Sequence, residues 1–232
     1  PGPTPGRGEG RRVTRRSERA RRIVFWRHGR TSWNAEQRFQ GQSDIPLDDV
    51  GLAQVARAAK SLARLEPALL ISSDLQRAAA TAQALALVTG LPVTTDPGLR
   101  ETWAGEWEGL TRPVLEERFG DELALWGAGS DVRPGGGETR LEVAERMVAV
   151  VERELVGLGE GQTMVVATHG GSARAAIGSL VGLPPEHWAA LGVLANAAWS
   201  VLQENANGHG PPWRLQEYNA ISLPVEALAD DR

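Results

Sequence analysis

The sequence predicts an α/β protein, a three-layer α/β/α sandwich around a mostly parallel central sheet. Three observations support that fold class. Short apolar runs alternate with segments of helical periodicity through most of the chain, which is the pattern of strands joined by crossover helices. A length of 232 residues, with 41% hydrophobic and 23% charged residues, suits one sizeable globular core. No repeat with a period of about 20 to 50 residues interrupts the alternation.

Taken in order, "RIVFW" from Arg22 is the first strand candidate. "GLAQVARAAKSLARL", Gly51 to Leu65, spaces Leu52, Val55, Ala59 and Leu62 three and four residues apart and reads as a helix. "ALLISS", Ala68 to Ser73, is again strand-like, and the alanine-rich "DLQRAAATAQALALV", Asp74 to Val88, is a helix. "LPVTTD" is a third strand candidate before an irregular stretch of glycine and tryptophan, Leu99 to Leu110. Thr139, with Glu142 three residues on, is a capping-box signal for a long amphipathic helix. "GGGET" before it reads as a turn, because it lacks the lysine and spacing of a phosphate-binding P-loop. "QTMVVAT", Gln162 to Thr168, is the next strand, "GGSARAAIGSLVGL" the next helix, and "AAWSVLQE" and "WRLQEYN" are two last strands.

Charge divides the chain unevenly. Residues 1 to 22 carry eight arginines against Glu9 and Glu18, while the whole chain has a net charge of −4, so the remainder is strongly acidic. Residues 1–21 are therefore expected to be a flexible basic tail, and 22–232 a single domain; the tail has no apolar period with which to bury itself. It contains no apolar stretch of the secretory kind. Neither interleaved aromatics nor a basic body accompany its arginines, so nucleic acid is not the expected partner. No apolar run has the length of a membrane span, and a soluble, cytoplasmic protein without membrane association is expected. Absence of cysteine removes disulfides, a thiol nucleophile and cysteine-bound metal.

In a sheet of this kind ligands bind outside the carboxyl ends of the strands. His28 follows the first strand, Arg77 begins the helix after the second, Glu101 follows the third candidate, and His169 ends the "TMVVAT" strand. Four chemically active side chains, far apart in sequence, thus fall on one sheet edge. Arg27, His28, Arg77 and His169 are donors suited to phosphoryl oxygens, and Gly170 and Gly171 place backbone N–H groups at a helix start, a favourable anion site. A zinc hydrolase is disfavoured because no HExxH or comparable ligand cluster exists, and a serine hydrolase because no GxSxG elbow does.

These residues resemble the histidine phosphatase superfamily, which includes the cofactor-dependent phosphoglycerate mutases. The likeness runs through the "RHG" triplet Arg27–His28–Gly29, "TSWN" with Thr31 and Asn34, "RFQGQSDIPLDDVGLAQ", "SSDLQRAAATA", "LRETWAGEWEGLT", "GGGET" and "THGG". Arg30 departs from the Glu or Gln common there. The resemblance implies that His28 is a nucleophile forming a phosphohistidine, its pKa lowered by Arg27 and Arg77. It further implies that those arginines, His169, Asn34 and the backbone at Gly170 hold the phosphoryl oxygens, and that Glu101 is the general acid. Gln40 and Gly41 match substrate-side positions, with Glu108 a weaker candidate. Trp103 and Trp107, which flank Glu101, are candidates for an apolar wall over it.

No metal and no cofactor are implied, and the partner is a small-molecule phosphate ester. Homodimers are common among such relatives. The short span from Leu110 to Gly135 favours an open site and hydrolysis over mutase chemistry, which must exclude water. The end-to-end likeness is to the actinobacterial phosphatases of glucosyl-3-phosphoglycerate, so the expected substrate carries a carboxylate near the phosphate, with Arg30, Arg38 and Arg112 as candidates to meet it. A phosphoglycerate mutase and a non-catalytic phosphate-ligand-binding protein on the same fold are the alternatives.

Overall fold

A computed structural model describes residues 20–205 and 209–222. Most of the basic tail lies outside those residues. Two positions assigned to it do not: Ala20 is buried, and Arg21 forms an ion pair with Glu204 and donates to the Leu155 carbonyl at 3.0 Å. The folded body therefore includes both, because Arg21 has partners on two separate elements.

Six strands form one sheet in the order β3-β2-β4-β1-β5-β6. They are β1 (Arg22–Arg27), β2 (Pro67–Ser72), β3 (Thr94–Thr95), β4 (Thr163–Thr168), β5 (Trp199–Glu204) and β6 (Trp213–Ala220). The first four pair parallel, and β5 and β6 extend the sheet antiparallel. β4 is buried at all six positions because β1 and β2 flank it and helices cover both its faces. "LPVTTD" yields only two strand residues, Thr94 and Thr95.

Alternation along β1 assigns the layers. Ile23 and Phe25 face one core together with helices α5 (Arg140–Leu155) and α6 (Gly170–Leu180). Val24 and Trp26 face the other, with α2 (Asp49–Ala63) and α3 (Gln76–Thr89). Three α-helices start at a side-chain cap: α1 (Ser32–Ala35) at Thr31, α2 at Asp48 and α5 at Thr139. The Asp48 carboxylate accepts from the Gly51 N–H at 2.7 Å and sets the start of α2 two residues before the periodic segment. Thr139 and Glu142 form the expected reciprocal capping box of α5.

A third cluster lies outside the sandwich. It joins α4 (Arg112–Gly127), absent from the sequence reading, to the irregular segment before it. Trp107 meets Phe39 at 5.5 Å and Trp126 at 5.9 Å between ring centroids, both edge-to-face. Such pairs contribute about 0.5–1.5 kcal/mol each beyond the area they bury. They hold α4 over the carboxyl edge of the sheet. Among the described residues no helix is long and apolar enough to cross a membrane.

Candidate active site

Parallel register brings the strand ends level: Arg27 lies opposite Thr168, and Ser72 opposite Ala167. The next residues, His28, Ser73 and His169, leave the sheet together. The His28 and His169 rings stand 5.2 Å apart at 61°.

His28 is buried, and its Nδ1 lies 2.7 Å from the Gly29 carbonyl oxygen. A carbonyl only accepts, so Nδ1 carries the ring proton and Nε2 keeps its lone pair. Burial, then Arg77, then Arg27 hold the pKa of His28 well below the usual histidine value. The ring is neutral at pH 7.

Arg77 is fully buried at the start of α3. It donates to the carbonyls of Gly41 and Ser43 at 2.7 Å each, and through Nε to His169 Nδ1 at 3.2 Å. Burial lowers its pKa to about 10, against the opposing charge of Glu101, so it stays cationic. Glu108 builds the loop that supplies those carbonyls, accepting from the Gln42 N–H at 2.8 Å and the Ser43 hydroxyl at 2.7 Å. Gly41 has φ +52°, and a Cβ there would lie 2.1 Å from Glu108 Oε1, so only glycine fits. Glu108 is thus a support beneath the loop, and it does not line the cavity.

His169 is placed differently from its expected contact with phosphoryl oxygens. Nδ1 accepts from Arg77, which puts the proton on Nε2, and Nε2 lies 2.9 Å from the Ser73 hydroxyl. Both nitrogens are engaged, the ring is buried, and it lies beside His28 and against Arg77 without itself lining the cavity. Burial and the charge of Arg77 push its pKa well below the usual histidine value. Ser73, whose hydroxyl accepts from the Nε2–H that this tautomer carries, is not marked out by the sequence pattern. The second serine of "SSDLQR" was the available signal.

The helix-start N–H groups also serve a different group from the one expected. Gly171 and Ser172 donate to the two oxygens of Glu101 at 2.9 and 2.8 Å, and Thr102 donates a third bond at 2.9 Å. The start of α6 therefore holds the Glu101 carboxylate. Gly170 contributes by its smallness, since a Cβ there would lie 2.6 Å from Val193 and 3.2 Å from Arg27 Nε. Behind Glu101, Arg146 donates to the carbonyls of Gly98, Arg100 and Glu101 and pairs with Glu138 at 2.9 Å. Glu138 in turn accepts from the Trp103 N–H at 2.8 Å. The glutamate of "GGGET" thus fixes the segment that carries Glu101.

Arg27 donates to the Leu194 carbonyl, while its buried Nε has no partner among the described residues. Asn34 accepts from the Thr31 N–H and from Asn196 Nδ2 at 3.1 Å each. Asn196, another residue the sequence reading missed, also reaches the carbonyls of His28 and Gly29. Gln40 is buried, and its Oε1 likewise has no partner among the described residues.

Together these residues enclose a cavity of about 180 Å³. Arg27, His28, Arg77 and Glu101, whose charges act on one another, make up one group of lining residues, termed the inner end; Phe39 and Trp126, in ring contact, make up with Arg174 a second, termed the outer end. The apolar wall is Phe39 and Trp126, not the expected tryptophans: Trp107 is buried in the aromatic cluster and Trp103 is half exposed. Of the three arginines considered for a carboxylate, only Arg38 borders the cavity. Arg30 pairs with Asp48 and Arg112 with Glu116. Among the described residues no group of three or more His, Cys, Asp or Glu is arranged to hold a metal ion.

A glucosyl-3-phosphoglycerate phosphatase of Mycolicibacterium vanbaalenii is 39% identical over 216 residues, 87% of this chain and 96% of that protein. A metal-independent phosphoserine phosphatase of Arabidopsis thaliana is 36% identical over 157 residues, covering 66% of each. The solved structure of a mycobacterial glucosyl-3-phosphoglycerate phosphatase in complex with VO3 is 40% identical and has a TM-score of 0.80, covering 87% of this chain and 100% of that one. The family model of the histidine phosphatase superfamily (branch 1) matches residues 23–220, and this chain belongs to that superfamily.

Proposed function

We propose that this protein is a phosphomonoesterase working through a phosphohistidine at His28. The observation that carries the reading is the inner end of the cavity: a buried neutral histidine with a free Nε2 lone pair, two arginines beside it, and one carboxylate. In the first step Nε2 attacks phosphorus, an N–P bond forms, and the ester P–O bond breaks. The departing alkoxide needs a proton. Glu101, the only carboxyl group lining the cavity among the described residues, supplies it from its protonated form, which the second step restores. In the second step Glu101 takes a proton from water as its oxygen attacks phosphorus. The N–P bond breaks, its electron pair returns to Nε2, and inorganic phosphate leaves.

Arg27 and Arg77 stabilise the phosphoryl oxygens as charge shifts. Three of the five guanidinium N–H groups of Arg77 serve protein acceptors, and the other two remain for a ligand. His169 acts in this reading through Arg77, fixing its orientation. Asn34 and Gln40 border the same cavity and are assigned to substrate; Gly41 and Gly170 act through backbone shape. The names of the similar phosphatases support a substrate of the glucosyl-3-phosphoglycerate kind, an ester with a carboxylate near the phosphate. A homodimeric state and a cytoplasmic location belong to the same proposal, on that likeness.

Trapping the intermediate tests the mechanism. Turnover quenched without acid is expected to leave phosphate on His28, and excess EDTA to leave the rate unchanged. His28→Ala is expected to lose at least about 10³-fold in kcat. Full activity of that variant, or loss of activity on chelation, overturns the mechanism.

A further inference from the structure

Among the described residues four arginines border the cavity: Arg27, Arg38, Arg77 and Arg174. Three are committed to the protein. Arg77 has its two carbonyls and His169, Arg27 has the Leu194 carbonyl, and Arg38 donates to Glu36 at 2.5 Å and the Gly109 carbonyl at 2.8 Å. Arg174, on α6 and half-buried, makes no hydrogen bond or ion pair with any described residue.

Its neighbourhood makes that isolation costly. The guanidinium of Arg140 is close enough for Arg174 to add to the burial that lowers the Arg140 pKa to about 10. Arg140 is itself fixed, stacked 4.6 Å over the Trp126 ring and bonded to the Trp126 and Ser130 carbonyls. Two cations thus approach each other at the outer end of the cavity, one without an acceptor. Like charges held close repel, and the opposing charge of Asp131 on Arg140 is the smaller effect, so an anion arriving there supplies the missing bond and eases the repulsion.

The geometry points to Arg174 as the residue that takes the carboxylate of the substrate and so selects phosphate esters carrying a second anion. This rests on the phosphomonoesterase reading, which assigns the phosphate to the inner end and leaves the outer end for the rest of the ester. Arg174 follows Gly171 by three residues on α6, so the two share a helix face about 4.5 Å apart along its axis. Gly171 holds Glu101; Arg174 is therefore about one helical turn along α6 from the group assigned to the leaving oxygen. A guanidinium fork matches a carboxylate with two parallel hydrogen bonds. Among the described residues no histidine or lysine lines this end, so the selection does not depend on a described group that titrates near neutral pH.

The test compares 3-phosphoglycerate with glycerol 3-phosphate, which differ only in bearing a carboxylate or a hydroxymethyl group, with p-nitrophenyl phosphate as a third substrate. The full chain, Arg174→Gln and Arg174→Lys are measured as kcat/KM. The wild-type protein is expected to prefer 3-phosphoglycerate by about tenfold or more. Arg174→Gln is expected to remove most of that preference, chiefly through KM, and Arg174→Lys to restore part of it by returning the charge without the fork. An unchanged preference in Arg174→Gln, or a proportional fall on all three substrates, overturns the inference. Turnover by the wild-type protein with no preference overturns it too and leaves the phosphomonoesterase reading standing. No turnover of any of the three overturns both.

Discussion

At the inner end of the cavity Arg77 has three hydrogen bonds to the protein, Glu101 accepts three backbone N–H groups, and His169 has both ring nitrogens occupied. At the outer end Arg174 has no partner among the described residues, and the walls are aromatic rings held by their contacts with one another. The inner end stands on three adjacent parallel strands; the outer end draws Trp126 from α4 and Arg174 from α6. The difference separates two tasks. Groups facing developing charge have to be fixed before the substrate arrives, since reorganising dipoles during the reaction raises the barrier. Groups that choose among esters need to complete their bonds only when the right ester is present.

Glu101, at the inner end, is bonded to the start of the helix that also carries Arg174, and after that of His28 its replacement gives the largest expected effect. Glu101→Gln is expected to slow an alkyl phosphate about 10²-fold or more beyond its effect on p-nitrophenyl phosphate, whose leaving group departs without a proton. Gln also places an NH2 group against one of the N–H donors now bound to Glu101, so part of the loss falls on both substrates. The gap between them is the informative quantity. Equal losses would assign Glu101 to shaping the inner end alone.

Titration separates the ends a second way. Both histidines of the inner end are buried with pKa values held well below the ordinary 6.5, whereas the outer end holds arginines. The unfolded chain takes up a proton at each histidine as pH falls through about 6.5, while the folded chain does so only at much lower pH. Stability is therefore full above pH 6.5 and falls below it, by up to about 1.4 kcal/mol per pH unit for each histidine. Denaturant midpoints measured between pH 7.5 and 5 are expected to show this slope, and His169→Gln to flatten it by about half the histidine share. A profile unaffected by that substitution would mean His169 is not held neutral by the fold.

The contrast also explains what the sequence made legible. His28, Arg77, Glu101 and His169 could be collected on one edge because each follows a strand, and strand order in an α/β protein constrains where such residues go. Their contacts could not be collected in the same way. That His169 turns its nitrogens to Arg77 and Ser73, and that Glu101 occupies the N–H groups at the start of α6, depends on side-chain reach across gaps of about 70 to 96 residues. The outer end was harder still. α4 has weak amphipathic patterning and bends at Phe119, with φ −135° and ψ 29° inside the helix, so periodicity gave no signal. Arg174 sits within an alanine-rich helix where a lone arginine reads as a solvent-facing residue. Its isolation becomes visible only when the partners of the other arginines are known.

Arg112 supplies the smallest effect and the sharpest control on the outer end. It follows "GEWEGLT" directly and is a cation, which made it a reasonable candidate for the carboxylate. In the fold it opens α4 with 74% of its side chain exposed, bonded to Glu116 one turn on at 2.7 Å and outside the cavity wall. Exposed i,i+4 pairs of this kind contribute only about 0.3–0.5 kcal/mol. Its charge also acts on the cavity through solvent, where salt screens it over about 8–10 Å. Arg112→Ala is accordingly expected to lower stability by no more than about 0.5 kcal/mol. The ratio of kcat/KM for 3-phosphoglycerate over glycerol 3-phosphate should stay within about twofold of wild type, a change of about 0.4 kcal/mol. A collapse of that ratio in Arg112→Ala would mean the outer end closes on the substrate through the start of α4, and the difference between a fixed inner end and an open outer one would have to be redrawn around that motion.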